Sequence, residues 1–280
     1  MEVLFDKIDG NDKVFSQQEY ISDAVVFHAI ESARIAEGYA LFSDHKDVIM
    51  LFTAKKDSKR VWIWTSSAVR EDTKKIIDIC RFLKKQGMDK PEIYIKEEIA
   101  DSMSDLYAVA SGELNYEVRD EYSLQIFGLN TAPQQAELSA DEKIVKLDMS
   151  KESDRQLLTD FYRSLSEEFR WTTKFDRKLN EYFALEHYAL IKEGRIVSNA
   201  VVGSPTAVYL RVKSIATLSD LRNQGYAYKV LAYVSDKILS SGKSPILYAH
   251  VGNKAAMALW AKSNYKPYGK LSLLKVGNKK

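Results

Sequence analysis

The strongest constraint on the fold is the run from residue 208 to residue 251, which joins two β-rich segments through a short polar loop and an amphipathic helix. The β-rich segments are residues 208–218 and 245–251. Between them, apolar side chains recur at helical intervals, at Ala227, Val230, Leu231, Val234 and Ile238. Strands joined through a helix lie parallel, so this run predicts an α/β domain.

Length and composition predict two such domains in an ordinary globular chain. At 280 residues, of which 45% are hydrophobic, the chain exceeds the usual single-domain size. The polar segment 130–143 contains an isolated Pro133 and is the expected linker. We therefore predict domains over residues 1–132 and 142–280.

Charge and cysteine content exclude several function classes. The 41 basic and 39 acidic residues leave a net charge of +2, too balanced to indicate a nucleic-acid or membrane-surface partner. Cys80 is the only cysteine, which excludes an intramolecular disulfide and a thiolate metal site, and it is expected to pack inside a helix. No segment approaches the ~20 apolar residues of a membrane span. We expect a cytoplasmic protein without a metal, whose basic end at residues 275–280 is a frayed terminus.

The two halves repeat one pattern of elements. After a predicted helix over residues 17–38, the first half runs through a hairpin at 48–66, a helix containing Ile76, Cys80 and Leu83, and a strand at 91–96. The second half has a hairpin at 187–203 and then the same strand, helix and strand. A matching order and spacing favour an internal duplication, although any two β-α-β pairs share some likeness.

The loop before the second helix has the features of an anion site. Backbone N–H groups at a helix N-terminus lack internal partners, and the helix dipole favours negative charge there. Gly225 removes a side chain where the backbone must approach a ligand, Ala227 keeps the next turn small, and Arg222 adds a positive charge. Taken alone, the spacing Arg-x-x-Gly-x-Ala is common and also fits a glycine that eases a tight turn.

In its context this segment resembles the GNAT superfamily of N-acetyltransferases. Thr217, Arg222, Gly225, Tyr226 and Ala227 fall in order on the family's loop between a strand and a helix. Downstream, the run from residue 253 to residue 265, NKAAMALWAKSNY, resembles the family's Asn-x-x-Ala-x-x-Leu-Tyr-x-x-x-Gly-Phe segment at matching spacing. The resemblance covers roughly residues 142–274.

The resemblance implies an α/β fold of two tandem GNAT-like domains, each a mixed sheet flanked by helices, with acetyl-CoA as cosubstrate. It implies that a strand end offers backbone hydrogen bonds to the pantetheine arm, that the loop holds the pyrophosphate, and that the downstream helix borders the cofactor. The residues so implied are Ile215, Ala216, Thr217, Arg222, Asn223, Gln224, Gly225, Tyr226, Ala227, Tyr228, Asn253, Ala256 and Trp260.

The sequence departs from the family pattern where the catalytic acid would stand. Trp260 replaces the usual tyrosine, and an indole N–H is a far weaker acid than a phenol. His250 and Tyr248, which share one face of the predicted strand, are the candidate catalytic residues. Glu167 and Glu168 are weaker candidates, for which surface solvation is the simpler interpretation.

The first half lacks the glycine loop. Its equivalent segment, residues 65–76, has Glu71 and Asp72 at the helix start, and these carboxylates would repel a phosphate. We expect a degenerate domain that does not bind CoA and that packs on, or shapes, the acceptor side of the active domain.

Three hypotheses follow from the sequence. The first is an N-acetyltransferase that acts on a primary amine of a small molecule or peptide through a ternary complex. The second, motivated by Trp260, is a CoA-binding or CoA-sensing protein with little or no turnover. A mononucleotide-binding α/β protein is disfavoured, because antiparallel hairpins precede the loop. The acceptor and the oligomeric state are not readable from the sequence.

Overall fold

The computed structural model describes residues 5–8, 26, 29, 39–55, 58–88, 90–113, 116–129, 131–203 and 208–279. The chain forms two compact units. Unit 1 comprises residues 1–126, 249–252 and 267–280, and unit 2 comprises residues 127–248 and 253–266. The helix predicted over residues 17–38 lies outside the described residues except at Val26 and Ala29.

Unit 1 contains a mixed sheet. Its strands are β1 (Asp6–Ile8), β2 (Tyr39–Ser43), β3 (Val48–Lys55), β4 (Ser58–Thr65), β5 (Glu92–Lys96), β6 (Tyr116–Gly128) and the C-terminal β12 (Lys266–Asn278). Strands β1 to β4 are antiparallel neighbours in chain order, β4 and β5 are parallel, and β12 pairs with β5 in antiparallel register.

Two helices cover the unit 1 sheet, α1 (Thr73–Lys85) and α2 (Glu97–Ser111). The side chains of Ile76, Ile79, Cys80 and Leu83 on α1 are fully buried among those of β3, β4 and β5, as the helical spacing predicts. Burial raises the pKa of the Cys80 thiol to about 12, so this cysteine is a packing residue.

Unit 2 also contains both parallel and antiparallel strands. Its strands are β7 (Glu142–Lys146), β8 (Glu186–Lys192), β9 (Arg195–Gly203), β10 (Tyr209–Thr217) and β11 (Ser244–His250), of which residues 249 and 250 are assigned to unit 1. Strands β7 to β10 are antiparallel neighbours in chain order, and β10 and β11 are parallel. Its helices are α3 (Glu152–Ser164), α4 (Phe175–Phe183), α5 (Tyr226–Ser240) and α6 (Lys254–Lys262).

Unit 2 has its own apolar core. Leu158, Phe161 and Tyr162 of α3 are buried against Ala189 and Ile191 of β8. Helix α5 packs on β8, β9 and β10 through the apolar positions that its sequence period predicts. This packing fixes the N-terminus of α5 beside the end of β10, where the glycine loop lies.

The predicted hairpin, helix and strand of the first half and the predicted hairpin, strand, helix and strand of the second half are confirmed, and the α/β class with mixed strand pairing is confirmed as well. One expectation is wrong, and one helix was not predicted. Residues 275–278 are not a frayed terminus but the end of β12, where Val276 is buried. Helix α4 was not expected, because its nine residues expose most of their charged side chains and bury only Leu179.

The compact units are not contiguous in the sequence. The predicted linker at residues 130–143 begins just after the break at residue 126, but β12 belongs to unit 1 although it follows unit 2 in the chain. The division into separately folding segments 1–132 and 142–280 therefore stays a prediction. Among the described helices, none is long and apolar enough to cross a membrane.

Candidate functional site

Strand β10 has a free edge in unit 2. Its parallel pairing with β11 covers only Tyr209 to Arg211, opposite Ser244 to Ile246, and β10 then continues to Thr217. A bulge between Lys213 and Ala216 shifts the register against β9. On the β11 side, the backbone groups of residues 212–217 therefore have no strand partner in the described part of the chain, and an extended ligand can hydrogen-bond there.

The loop after β10 presents an open helix N-terminus. Gly225 is the N-cap of α5 at φ +86°, and no side chain caps the helix. The first intrahelical bond runs from the Lys229 N–H to the Gly225 carbonyl, which leaves the N–H groups of residues 226–228 without an acceptor among the described residues. A Cβ built on Gly225 meets no atom within 4 Å, so the space beside Gly225 at this helix start is open.

Arg222 is held at this loop by a carboxylate. Its Nη2 donates to Glu168 Oε2 at 2.5 Å, and its Nε donates to the Thr217 carbonyl at 3.2 Å. Asn223, at φ +63°, and Gln224 are exposed beside it. The positive charge predicted from the sequence is therefore present, and its partner is Glu168, for which solvation had been the simpler interpretation.

The hydroxyl groups of the two loop tyrosines bond to other residues of unit 2. The Tyr226 hydroxyl accepts a hydrogen bond from Lys192 Nζ at 3.2 Å, and the Tyr228 hydroxyl donates to the Gln134 carbonyl at 2.8 Å. These hydrogen bonds hold the first turn of α5, and its backbone N–H groups stay unbonded among the described residues.

Helix α6 contains the three downstream residues singled out from the sequence. Asn253 is its N-cap, and the Asn253 Oδ1 accepts from the Ala256 N–H at 3.1 Å. Trp260 is buried against Phe127, and its indole N–H is enclosed without a hydrogen-bond partner among the described residues.

The two catalytic candidates lie in different surroundings on β11. The Tyr248 hydroxyl is enclosed and has no hydrogen-bond partner among the described residues, and burial raises the pKa of this phenol. The side chain of His250 is exposed.

A buried polar network near β10 was not predicted from the sequence. His187 contacts the Tyr182 carbonyl through Nε2 at 2.9 Å and Asn199 Nδ2 through Nδ1 at 3.1 Å, so Nε2 carries the proton. Asn199 also donates to the Tyr162 hydroxyl at 3.1 Å. Burial lowers the pKa of His187, which keeps the ring neutral.

Two cations on β10 were also missed. The side chains of Arg211 and Lys213 extend from alternate positions of this strand into partly buried surroundings. The sequence did contain a signal for them, the run Arg-x-Lys inside a β-rich segment. Charged residues inside a strand of a buried sheet need a partner, so such a run indicates a binding or pairing site.

The equivalent site of unit 1 is closed by its own side chains. Asp72 caps α1 by accepting from the Lys75 N–H at 2.9 Å. Lys96 Nζ donates to the Thr65 carbonyl at 2.9 Å, across the place where the pairing of β4 with β5 ends. The Lys75 N–H group at the start of α1 is therefore already bonded by Asp72, and this cap distinguishes unit 1 from unit 2, because the Thr217 carbonyl of unit 2 is also bonded, by Arg222.

Comparison with known proteins gives a consistent result. The family model described as FR47-like protein matches residues 207–272. No curated protein sequence matches the chain.

Several solved structures are similar over nearly the whole chain. A GCN5-related N-acetyltransferase from Kribbella flavida has a TM-score of 0.55 at 12% identity and covers 92% of this chain and 96% of its own. A second, from Sphaerobacter thermophilus, has a TM-score of 0.57 at 11% identity and covers 98% and 95%. A tandem GNAT protein from the clavulanic acid biosynthesis pathway has a TM-score of 0.57 at 10% identity and covers 98% of both chains. At these identities the likeness concerns the fold.

Proposed function

Because this chain has the tandem GNAT fold and carries an FR47-like segment in its second half, we propose that it transfers an acetyl group from acetyl-CoA to a primary amine. The observation that carries the proposal is the combination, within unit 2, of a free strand edge and an open helix N-terminus. An extended amide-containing chain that ends in a pyrophosphate matches both features at once.

The described residues fit this cosubstrate. The free edge of β10 at Ile215, Ala216 and Thr217 would bond the pantetheine amides, as one strand bonds another. The N–H groups at Tyr226, Ala227 and Tyr228 would hold the pyrophosphate, and the flexible arm of Arg222 would add a charge-assisted bond. The loop itself is shaped by Asn223, Gln224 and Gly225. Helix α6 and its N-cap would border the cofactor through Asn253, Ala256 and Trp260.

Acetyl-CoA supplies an activated acyl group: the amine nitrogen bonds to its carbonyl carbon, the C–S bond breaks, and the sulfur leaves with the electron pair and takes up a proton. The protein must then accept a proton from the amine and donate one to the sulfur. We propose Tyr248 as the donor, because its enclosed hydroxyl has no other partner among the described residues. We propose His250 or solvent as the acceptor.

Unit 1 is proposed to be a degenerate copy that does not bind CoA. The support is its closed helix start, where Asp72 satisfies an N–H group that a phosphate would use and adds a negative charge. The acceptor is proposed to be a small-molecule or peptide amine in the cytoplasm, where a reduced buried thiol such as Cys80 is ordinary.

A second candidate function is CoA binding without turnover, and Trp260 favours it. An enclosed indole N–H cannot protonate a leaving thiolate, so the step would depend wholly on Tyr248 or on water. Under this hypothesis the protein would bind acetyl-CoA and leave the thioester intact.

Thiol release with a panel of primary amines tests the proposal. We expect amine-dependent release by the parent chain, and an at least tenfold loss of kcat in Tyr248→Phe with unchanged acetyl-CoA affinity. Release that appears only in Trp260→Tyr would favour the binding protein instead. Absence of both binding and release would refute both functions.

A further inference from the structure

Among the described residues, Arg211 is a partly buried cation without a hydrogen-bond or ion-pair partner. Its guanidinium carbon lies 4.1 Å from the ring centroid of Tyr248. Its Nε is enclosed and unbonded, whereas its terminal amino groups are not among the enclosed atoms. No hydrogen-bond acceptor for the guanidinium lies among the described residues. A cation over an aromatic ring contributes ~0.5–2 kcal/mol, but it leaves the five in-plane N–H donors unsatisfied.

The described surroundings of Arg211 contain a second cation and no anion. Lys213 lies two positions along β10, and burial, followed by the charge of Arg211, lowers its pKa. The other polar groups that face this pair are the neutral His187 and the phenols of Tyr182 and Tyr248. Among the described residues, no carboxylate pairs with either cation, in contrast to Lys192, Arg222 and Lys229 of the same unit. Two partly buried like charges without a counterion are costly unless a ligand supplies one.

We call the space between β10 and β11, beyond the end of their pairing at Arg211, the β10–β11 cleft. Arg211 and Lys213 lie at the end of this cleft that is away from the loop at residues 222–228. Arg211 is the last residue of β10 that pairs with β11, and Thr217 at the loop end is six positions further. At ~3.3 Å per residue, the two strand positions are about 20 Å apart. The pyrophosphate would occupy the Thr217 end, so an anion at Arg211 belongs to the other substrate.

We propose that the acceptor is an amino acid or similar amine that carries a carboxylate, and that Arg211 binds this carboxylate at the inner end of the β10–β11 cleft. The inference rests on the proposed acetyl transfer. A guanidinium presents paired N–H donors that match the two oxygens of a carboxylate, and such charge-assisted bonds are about twice as strong as neutral ones. The nearby Tyr248 hydroxyl has no hydrogen-bond partner among the described residues, and it is the group proposed to donate a proton to the leaving sulfur. One ligand can therefore satisfy the guanidinium and keep its amine near the acetyl group.

The experiment compares L-amino acids with their carboxamides as acceptors, using the parent chain, Arg211→Gln, Arg211→Lys and the control Arg195→Gln. Arg195 is exposed at the start of β9 in the same unit, and changing it removes the same charge away from the cleft. A carboxamide has the less basic amine, which is more often unprotonated at neutral pH, so intrinsic reactivity favours the carboxamide. Circular dichroism checks that each variant is folded.

We expect the parent to prefer the acid over its carboxamide by at least about 30-fold in kcat/KM, the range for a lost buried charge pair. Arg211→Gln should lose that preference through KM while its acetyl-CoA affinity stays unchanged. Arg211→Lys should keep part of the preference, and Arg195→Gln should keep all of it. Equal use of acids and carboxamides by the parent would overturn the inference and leave acetyl transfer standing, whether or not the variants fold.

A separate readout covers the case in which no amine reacts. Acetyl transfer would then be refuted, and the anion site is tested by amino-acid binding to the parent and to Arg211→Gln in the presence of CoA. Binding that Arg211→Gln loses would support the carboxylate site. Equal binding, or no binding to the parent, would overturn it.

Discussion

Replacing Gly225 with glutamate should remove acetyl-CoA binding at little cost to the fold, and Gly242 provides a matched control. The two glycines flank the same helix, α5, at φ +86° and +78°, and a Cβ at either position meets no atom within 4 Å. Both substitutions therefore add the same side chain and the same left-handed strain, and neither creates a clash.

The expected destabilisation differs between the two variants in a direction that the helix dipole sets. Left-handed backbone costs a side-chain-bearing residue ~1–2 kcal/mol. A carboxylate offsets this by ~0.3–1 kcal/mol at the N-terminus of α5 and adds a similar cost at its C-terminus. We expect the free energy of unfolding to fall by about 1 kcal/mol in Gly225→Glu and by about 2 kcal/mol in Gly242→Glu. Each kcal/mol should lower Tm by ~2–4 °C.

Thermal unfolding with and without acetyl-CoA is the assay. Ligand at 100 times its Kd stabilises the parent by ~2.7 kcal/mol. Gly242→Glu should keep this response although it is the less stable variant, whereas Gly225→Glu should lose it, because its carboxylate occupies the N–H groups and repels a phosphate. An equal response in both variants would refute the assignment of the phosphate site to residues 222–228.

Three further predictions concern single side chains. Glu168→Gln frees Arg222 and should tighten acetyl-CoA binding up to about fivefold by calorimetry, since an exposed ion pair is worth ~0.2–1 kcal/mol; unchanged affinity would contradict a role for Arg222. Burial lowers the pKa of His187, so below its ordinary value of 6.5 the unfolded chain binds a proton that the native chain excludes. Between pH 7.5 and pH 5.5, the free energy of unfolding of the parent chain should therefore fall more steeply than that of His187→Gln, by up to ~1.4 kcal/mol per pH unit. Parallel plots of unfolding free energy against pH for the two proteins would contradict this. Asp72→Ala removes the α1 cap and should cost ~0.5–2 kcal/mol in denaturant unfolding without creating a second acetyl-CoA site.

Local sequence signals were sufficient for the elements that position the site. Glycine at 225, the apolar period of α5 and the β-rich runs on either side are each local properties, and together they predict the strand, loop, helix and parallel strand. The carboxylate of Asp72 at the start of α1 was equally readable.

Properties that depend on distant neighbours could not be predicted. That Glu168 holds Arg222 requires residues 54 positions apart to meet, and no local pattern encodes that pairing. The placement of β12 in unit 1 depends on its pairing with β5, which is likewise remote in sequence. The missing partner of Arg211 is a property of the space around it, which becomes visible only once the side chains from β10 and β11 are placed.

Titration calorimetry of the full chain with acetyl-CoA tests the central claim most directly, because it counts sites. We predict one molecule bound per chain, with binding lost in Gly225→Glu and retained in Gly242→Glu. Two molecules per chain would contradict the closure of unit 1, and no binding, or binding that survives Gly225→Glu, would contradict the acetyl-CoA site in unit 2.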